Sequence, residues 1–172
     1  ISGPARGNAL LVTRYSPDAT RTRGTLNNCG TGKTPWGTLL TGEENWVGYY
    51  FRAAGDNLLR AAKVNTSLAR YGRNVGASLA AASRYGWESG GTDDKYQRWN
   101  TSQTGASLDG SDDYRHEVFG QGFMTEIDPY TATSVMKKRS ALGRMAHESA
   151  AFSKPVVGKP LAFYMGDDSR GE

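Results

Sequence analysis

An antiparallel all-β fold is predicted for this chain by three features of its sequence. Its apolar segments are short and rich in branched and aromatic residues, as at 36–41, 46–51 and 122–127. Turn-forming clusters such as Ser16-Pro17-Asp18 and Asp128-Pro129-Tyr130 separate them. Strands and long helices do not alternate in the way that parallel crossovers require.

In chain order, Ala9 to Arg14 reads as a short strand closed by the Ser16 to Asp18 turn. Gly24 to Asn28 predicts a second strand, Gly30 to Pro35 a glycine-bearing loop, and Trp36 to Thr41 a strand with Glu43-Glu44-Asn45 at its exit. From Arg52 to Phe119 the character changes. Leu58, Leu59, Ala62 and Leu68 give a weak helical pattern, and the alanine-rich Gly76 to Ser83 predicts a further turn or two of helix. Polar, glycine-bearing segments at 89–94 and 107–113 then predict long loops, so 52–119 reads as a loop- and helix-rich insertion. Gly122 to Ile127 and Thr133 to Arg139 flank a turn and predict a hairpin. Ala146 to Ala150 lies beyond it, and Pro160 to Met165 is a last strand leading into Gly166-Asp167-Asp168.

Recurring hairpins are compatible with a β-propeller, whose blades take roughly 40 to 50 residues and whose rings need about four to eight of them. With 172 residues, and 52–119 set aside, too little chain remains to close a ring. The expectation is a part of a propeller, with 1–172 belonging to one domain. Both ends read as cuts in a longer chain, so a leader before Ile1 stays open.

Composition narrows the function. The apolar fraction is 37%, and the single cysteine rules out an internal disulfide. No stretch approaches the roughly 20 apolar residues of a membrane helix. The net charge of +4, from 21 basic and 17 acidic residues, suits anionic ligands such as phosphate esters. The basic residues are dispersed apart from Lys137-Lys138-Arg139, which speaks against a nucleic-acid footprint. The reading is therefore a chain with no nucleic-acid and no membrane partner, and the expectation is a monomer.

Cys29 is either a small packed hydrophobe or a thiolate ligand. Glu43, Glu44, Glu148, Asp167 and Asp168, with the Asn45 amide, are either solvated turn residues or oxygen donors for a hard cation. Their recurrence at strand ends, together with one thiol, points to a metal cluster. Gly30-Thr31-Gly32-Lys33-Thr34 is not a phosphate loop: the motif needs glycine where Asn27 stands, and Pro35 breaks the helix that must follow. His116 and His147 lack the paired spacing of a zinc helix, and no serine occupies a nucleophile elbow.

Several ordered blocks carry a resemblance. Gly24-Thr25-Leu26-Asn27-Asn28-Cys29, Thr34-Pro35-Trp36-Gly37-Thr38 and Glu43-Glu44-Asn45 resemble the signature of the PhoX-type alkaline phosphatases. Glu126-Ile127-Asp128-Pro129, Gly143-Arg144 with His147-Glu148, and Tyr164-Met165-Gly166-Asp167-Asp168 resemble later blocks in the same order. The insertion, with Arg70-Tyr71-Gly72-Arg73, resembles the form of a proteobacterial branch. The resemblance implies a six-bladed propeller phosphomonoesterase, periplasmic or secreted and exported by the twin-arginine route, that uses Fe(III) and Ca2+. It implies Cys29 and Glu44 as iron ligands, Glu148 as a bridging ligand, and Asp167 or Asp168 as a calcium ligand. Glu43 and Asn45 are implied either to bind metal or to orient the ligands. The family's phosphate-binding arginine block has no counterpart here and is expected beyond Glu172, so activity is expected of the parent protein and not of residues 1–172 alone. Rival expectations are a calcium-stabilised propeller that acts as a binding module and a calcium-dependent propeller esterase or lactonase.

Overall fold

The computed structural model describes residues 1–169 and divides into two compact units. One comprises Ile1–Arg6, Thr20–Trp46 and the chain from Gly120 onward; the other comprises Gly7–Ala19 and Val47–Phe119.

The first unit is built of antiparallel sheet. Strands β1 (Asn28–Lys33), β2 (Leu39–Glu43), β3 (Met124–Ile127) and β4 (Lys137–Lys138) form a sheet in that order. Thr31 pairs with Thr41, Leu40 with Glu126, and Thr125 with Lys138. The β1–β2 turn is closed by the Thr34 hydroxyl, which accepts a hydrogen bond from the Thr38 N–H at 3.0 Å, and Gly37 takes its φ of 92°. Strands β5 (His147–Phe152) and β6 (Phe163–Asp167) form a separate two-stranded sheet, with Ala150 opposite Met165. Leu40, Met124 and Ala150 make the core, flanked by Leu142, Phe163 and Met165. The core thus joins β2 and β3 to β5 through buried apolar side chains.

The second unit has less regular structure. It carries α1 (Ala62–Arg70), which buries Leu68, the single turn α2 (Asp94–Gln97) and several short 3-10 turns. Its interior is tied by buried charge. Asp56 accepts from Arg52 Nε at 2.5 Å and from Arg60 Nε at 3.1 Å, and Asp113 accepts from Arg115 Nε at 2.8 Å. Tyr49, Tyr85, Trp87 and Trp99 form an aromatic cluster with ring centroids 4.8–6.0 Å apart.

Four local expectations are corrected. Ala9–Leu11 is a 3-10 turn and not a strand, because the Asn8 side chain caps it by accepting the Leu10 N–H. Residues 24–27 are not a strand, since Asn27 sits at φ 49° and turns the chain. Gly30 to Lys33 is strand instead of loop, because its glycines serve close packing rather than turning. Gly76 to Ser83 is not helical; Ala81 instead bridges Arg52 in an extended pairing.

Candidate metal centre

Cys29 stands second in β1, Glu44 directly follows β2, and Glu148 stands second in β5. One ligand atom from each lies within 4.8 Å of the other two. Two local irregularities turn these side chains together. The β1–β2 register shifts between Asn28 and Thr31, and the β5–β6 register shifts between His147 and Ala150. Cys29 and Glu148 each fall inside one of these shifts, where a strand bends and re-aims a side chain. Glu148 therefore lies at the start of its strand, whereas Glu44 lies at the exit of β2.

Three glycines allow β5 to lie against β1 and β2. A Cβ on Gly30 would stand 2.6 Å from Ser149 Cβ and 2.7 Å from the Glu148 carbonyl oxygen. One on Gly42 would stand 2.5 Å from the His147 carbonyl oxygen, and one on Gly32 would run into the carbonyl of Ala150. Any side chain at these points would push β5, and Glu148 with it, off the sheet.

The loop before Cys29 is laced to the residues around Glu44. The Glu44 N–H donates to the Asn27 carbonyl at 3.2 Å, and the Asn45 N–H to Asn27 Oδ1 at 3.0 Å. Beside these contacts the Cys29 thiol is raised above its ordinary pKa, first because it hydrogen-bonds the Glu44 carboxylate, then through desolvation and the Glu44 charge. Without a cation the three donors favour a protonated sulfur; a bound cation would favour the thiolate.

The other expected ligands have different settings. Glu43 does not face this cluster. It is fully buried, and five donors reach its carboxylate: Thr25 Oγ1, the N–H groups of Leu26, Gly122 and Phe123, and Lys138 Nζ. Both of its carboxylate oxygens are thus engaged by protein donors, a setting unlike that of the three clustered residues. Asn45 is exposed and Asp168 is exposed; neither belongs to the three-residue cluster. Asp167 is buried, with Oδ1 accepting from the Ala146 and Ser169 N–H groups at 3.3 and 2.9 Å. Its Oδ2 is buried without a hydrogen-bond partner among the described residues, a costly state for a carboxylate oxygen. His147, paired with Asp167 across β5–β6, is fully buried, and burial pushes its pKa down. Its Nε2 lies 3.4 Å from the Gly143 carbonyl.

Sequence reasoning missed Lys138, read only as part of a basic run, and the packing role of Gly30, Gly32 and Gly42. For the glycines there was a signal: two of them alternate on a β-pattern, which marks close approach of another backbone. For Lys138 there was none, since its partner is 95 residues away.

Antiparallel sheets that converge a thiol and two carboxylates at one end define the chain as a sheet-built protein with a candidate cation site. The family model for alkaline phosphatase PhoX matches residues 1–172, and the chain belongs to that family. It is also similar to the solved structure of Pseudomonas fluorescens PhoX in complex with vanadate, a transition state analogue. That likeness has a TM-score of 0.73 at 33% sequence identity, over 99% of this chain and 25% of that one. The chain thus spans about a quarter of the length of that protein. A comparison with curated proteins found no match. No helix among the described residues is long and apolar enough to cross a membrane.

Proposed function

We propose that this chain supplies the thiolate and carboxylate part of the metal centre of an alkaline phosphatase that hydrolyses phosphate monoesters. The convergence of Cys29, Glu44 and Glu148 within 4.8 Å, in a chain of the PhoX family, carries the reading. In it, 1–172 is part of a six-bladed propeller domain, 52–119 is an insertion within that domain, and the parent protein is periplasmic or secreted. The remaining blades, which lie outside a chain spanning about a quarter of its solved relative, provide the phosphate-binding groups.

The donor set fits the metals. Sulfur with two carboxylates suits Fe(III), and the buried Asp167 Oδ2, without a hydrogen-bond partner among the described residues, suits Ca2+. Held by these residues, such cations would supply positive charge for the phosphoryl oxygens and would lower the pKa of a coordinated water. The chain's own residues have separate tasks. Cys29, once its proton is lost, gives a charged anchor on a rigid strand. Glu44 accepts the hydrogen bond of the Cys29 thiol and would serve as a ligand beside the thiolate. Glu148 closes the set from the second sheet. Asn27 fixes the spacing of Cys29 and Glu44 through its two hydrogen bonds.

In the full-length protein, Cys29→Ser and Glu44→Ala should each remove bound iron and p-nitrophenyl phosphate hydrolysis together. Chelation should abolish hydrolysis, with calcium required for its return. A Cys29→Ser protein that keeps iron and activity would overturn the assignment. Calcium binding with no hydrolysis would point to a binding module, and preference for carboxylate over phosphate esters to an esterase.

A further inference from the structure

The most heavily bonded carboxylate of the first unit sits one residue from a candidate ligand, yet faces away from it. Glu43 closes β2 and takes Thr25 Oγ1 at 3.1 Å, Leu26 N at 2.8 Å, Gly122 N at 2.9 Å and Phe123 N at 3.0 Å. Lys138 Nζ reaches it at 2.8 Å and also donates to the Gly120 carbonyl at 2.8 Å and to Gln121 Oε1 at 2.5 Å. Glu43 and Lys138 are 0% and 3% exposed. One pair of oxygens thus ties together the segment entering Cys29, the segment entering β3, and β4.

We propose that the buried Glu43–Lys138 pair is a positioning device for the metal centre, setting the distance between Cys29 and Glu44 without touching a metal. Leu26 lies three residues before Cys29, and Glu44 immediately follows Glu43. A shift of the Glu43 carboxylate therefore displaces both ligands at once, and by different amounts. Lys138 is what holds that carboxylate in place: it balances the charge and is itself anchored by the Gly120 carbonyl and Gln121. Partners outside the ligand shell commonly set metal affinity in this way.

The inference rests on the proposed metal centre, and cobalt(II) binding to the metal-free full-length protein separates the two. Lys138→Met is the main variant. On charge alone, losing an ammonium group near a cation site would tighten cation binding; positioning requires the opposite. We expect cobalt affinity to fall roughly 10- to 100-fold, with a weakened thiolate-to-cobalt band, in protein that circular dichroism shows to be folded. Glu43→Gln should behave alike. Because each single change leaves a buried group unpaired, the uncharged pair Glu43→Gln with Lys138→Met is measured too, and the same loss is expected. Wild-type or tighter cobalt binding in folded Lys138→Met or in the double variant overturns the inference. Cys29→Ser is the control for the centre itself: if it keeps the thiolate band and the affinity, the metal-centre reading fails, whatever the Lys138 result.

Discussion

The carbonyl oxygen of Glu148 stands 2.8 Å from the point that a Cβ on Gly42 would occupy, so β5 rests directly on the backbone of β2. This contact sets how closely Glu148 approaches Glu44. What a Cβ on Gly42 would meet is backbone of a paired strand, which cannot yield as the far end of a flexible side chain would.

Gly42→Ala should therefore destabilise the protein by about 1–3 kcal/mol, the usual cost of forcing atoms into a packed site. It should also weaken cobalt binding by separating Glu148 from Cys29 and Glu44. Urea unfolding and cobalt titration would report the two effects. Gly166→Ala is the stability comparison, because nothing lies within 4 Å of its Cβ position. Equal stability of the two variants would show that β5 does not rest on Gly42.

The Cys29 thiol gives a prediction in pH. Its pKa is raised, with the hydrogen bond to Glu44 as the largest cause. A raised pKa means a smaller thiolate fraction at neutral pH, so iodoacetamide should alkylate Cys29 in metal-free protein more slowly than an ordinary exposed thiol. Glu44→Gln should move the pKa down and speed alkylation at the same pH. Cation affinity should rise with pH until the thiol titrates, since binding displaces its proton. An unchanged alkylation profile in Glu44→Gln would show that the two side chains do not interact.

Asp112 gives a prediction for the second unit. Its carboxyl is lowered from 3.8 to about 2, first by the Ser107 hydroxyl and then by the Ser107 and Ala106 N–H groups. A carboxylate depressed on folding stabilises the native state above its ordinary pKa, and that contribution fades as pH falls toward the folded value. Asp112→Asn should lower the melting temperature at pH 7, with the gap to wild type closing between pH 3.8 and about 2. A gap independent of pH would place the effect elsewhere.

Much of the strand pattern was legible in the chain. The turn at Asp128-Pro129 and the branched and aromatic runs around it led directly to the β3–β4 hairpin. Reading Gly30 and Gly32 as loop failed because glycine signals both turns and close backbone approach, and only the partner strand distinguishes them. The 3-10 turn at Ala9–Leu11 was hidden for a similar reason: a single Asn8 cap outweighs strand propensity over so short a run. Propensity also favoured helix in the alanine-rich 76–83, where pairing of Ala81 with Arg52 prevails.

Cys29, Glu44 and Glu148 stood in the sequence among several candidate donors, with Glu43, Asn45, Asp167 and Asp168, and the family resemblance implied the roles of the three. Their convergence, and the separation of Glu43 from Glu44, were not readable there. Adjacent residues at a strand end point to opposite sides, so which glutamate faces the thiol depends on register and on what fills the other side. By itself the sequence determined the candidate donors, the antiparallel strand grammar and the resemblance to the family. Tertiary structure alone decided that Glu43 turns inward to Lys138 while Glu44 turns toward Cys29, since contacts 95 residues apart in the chain exist only once the strands have paired.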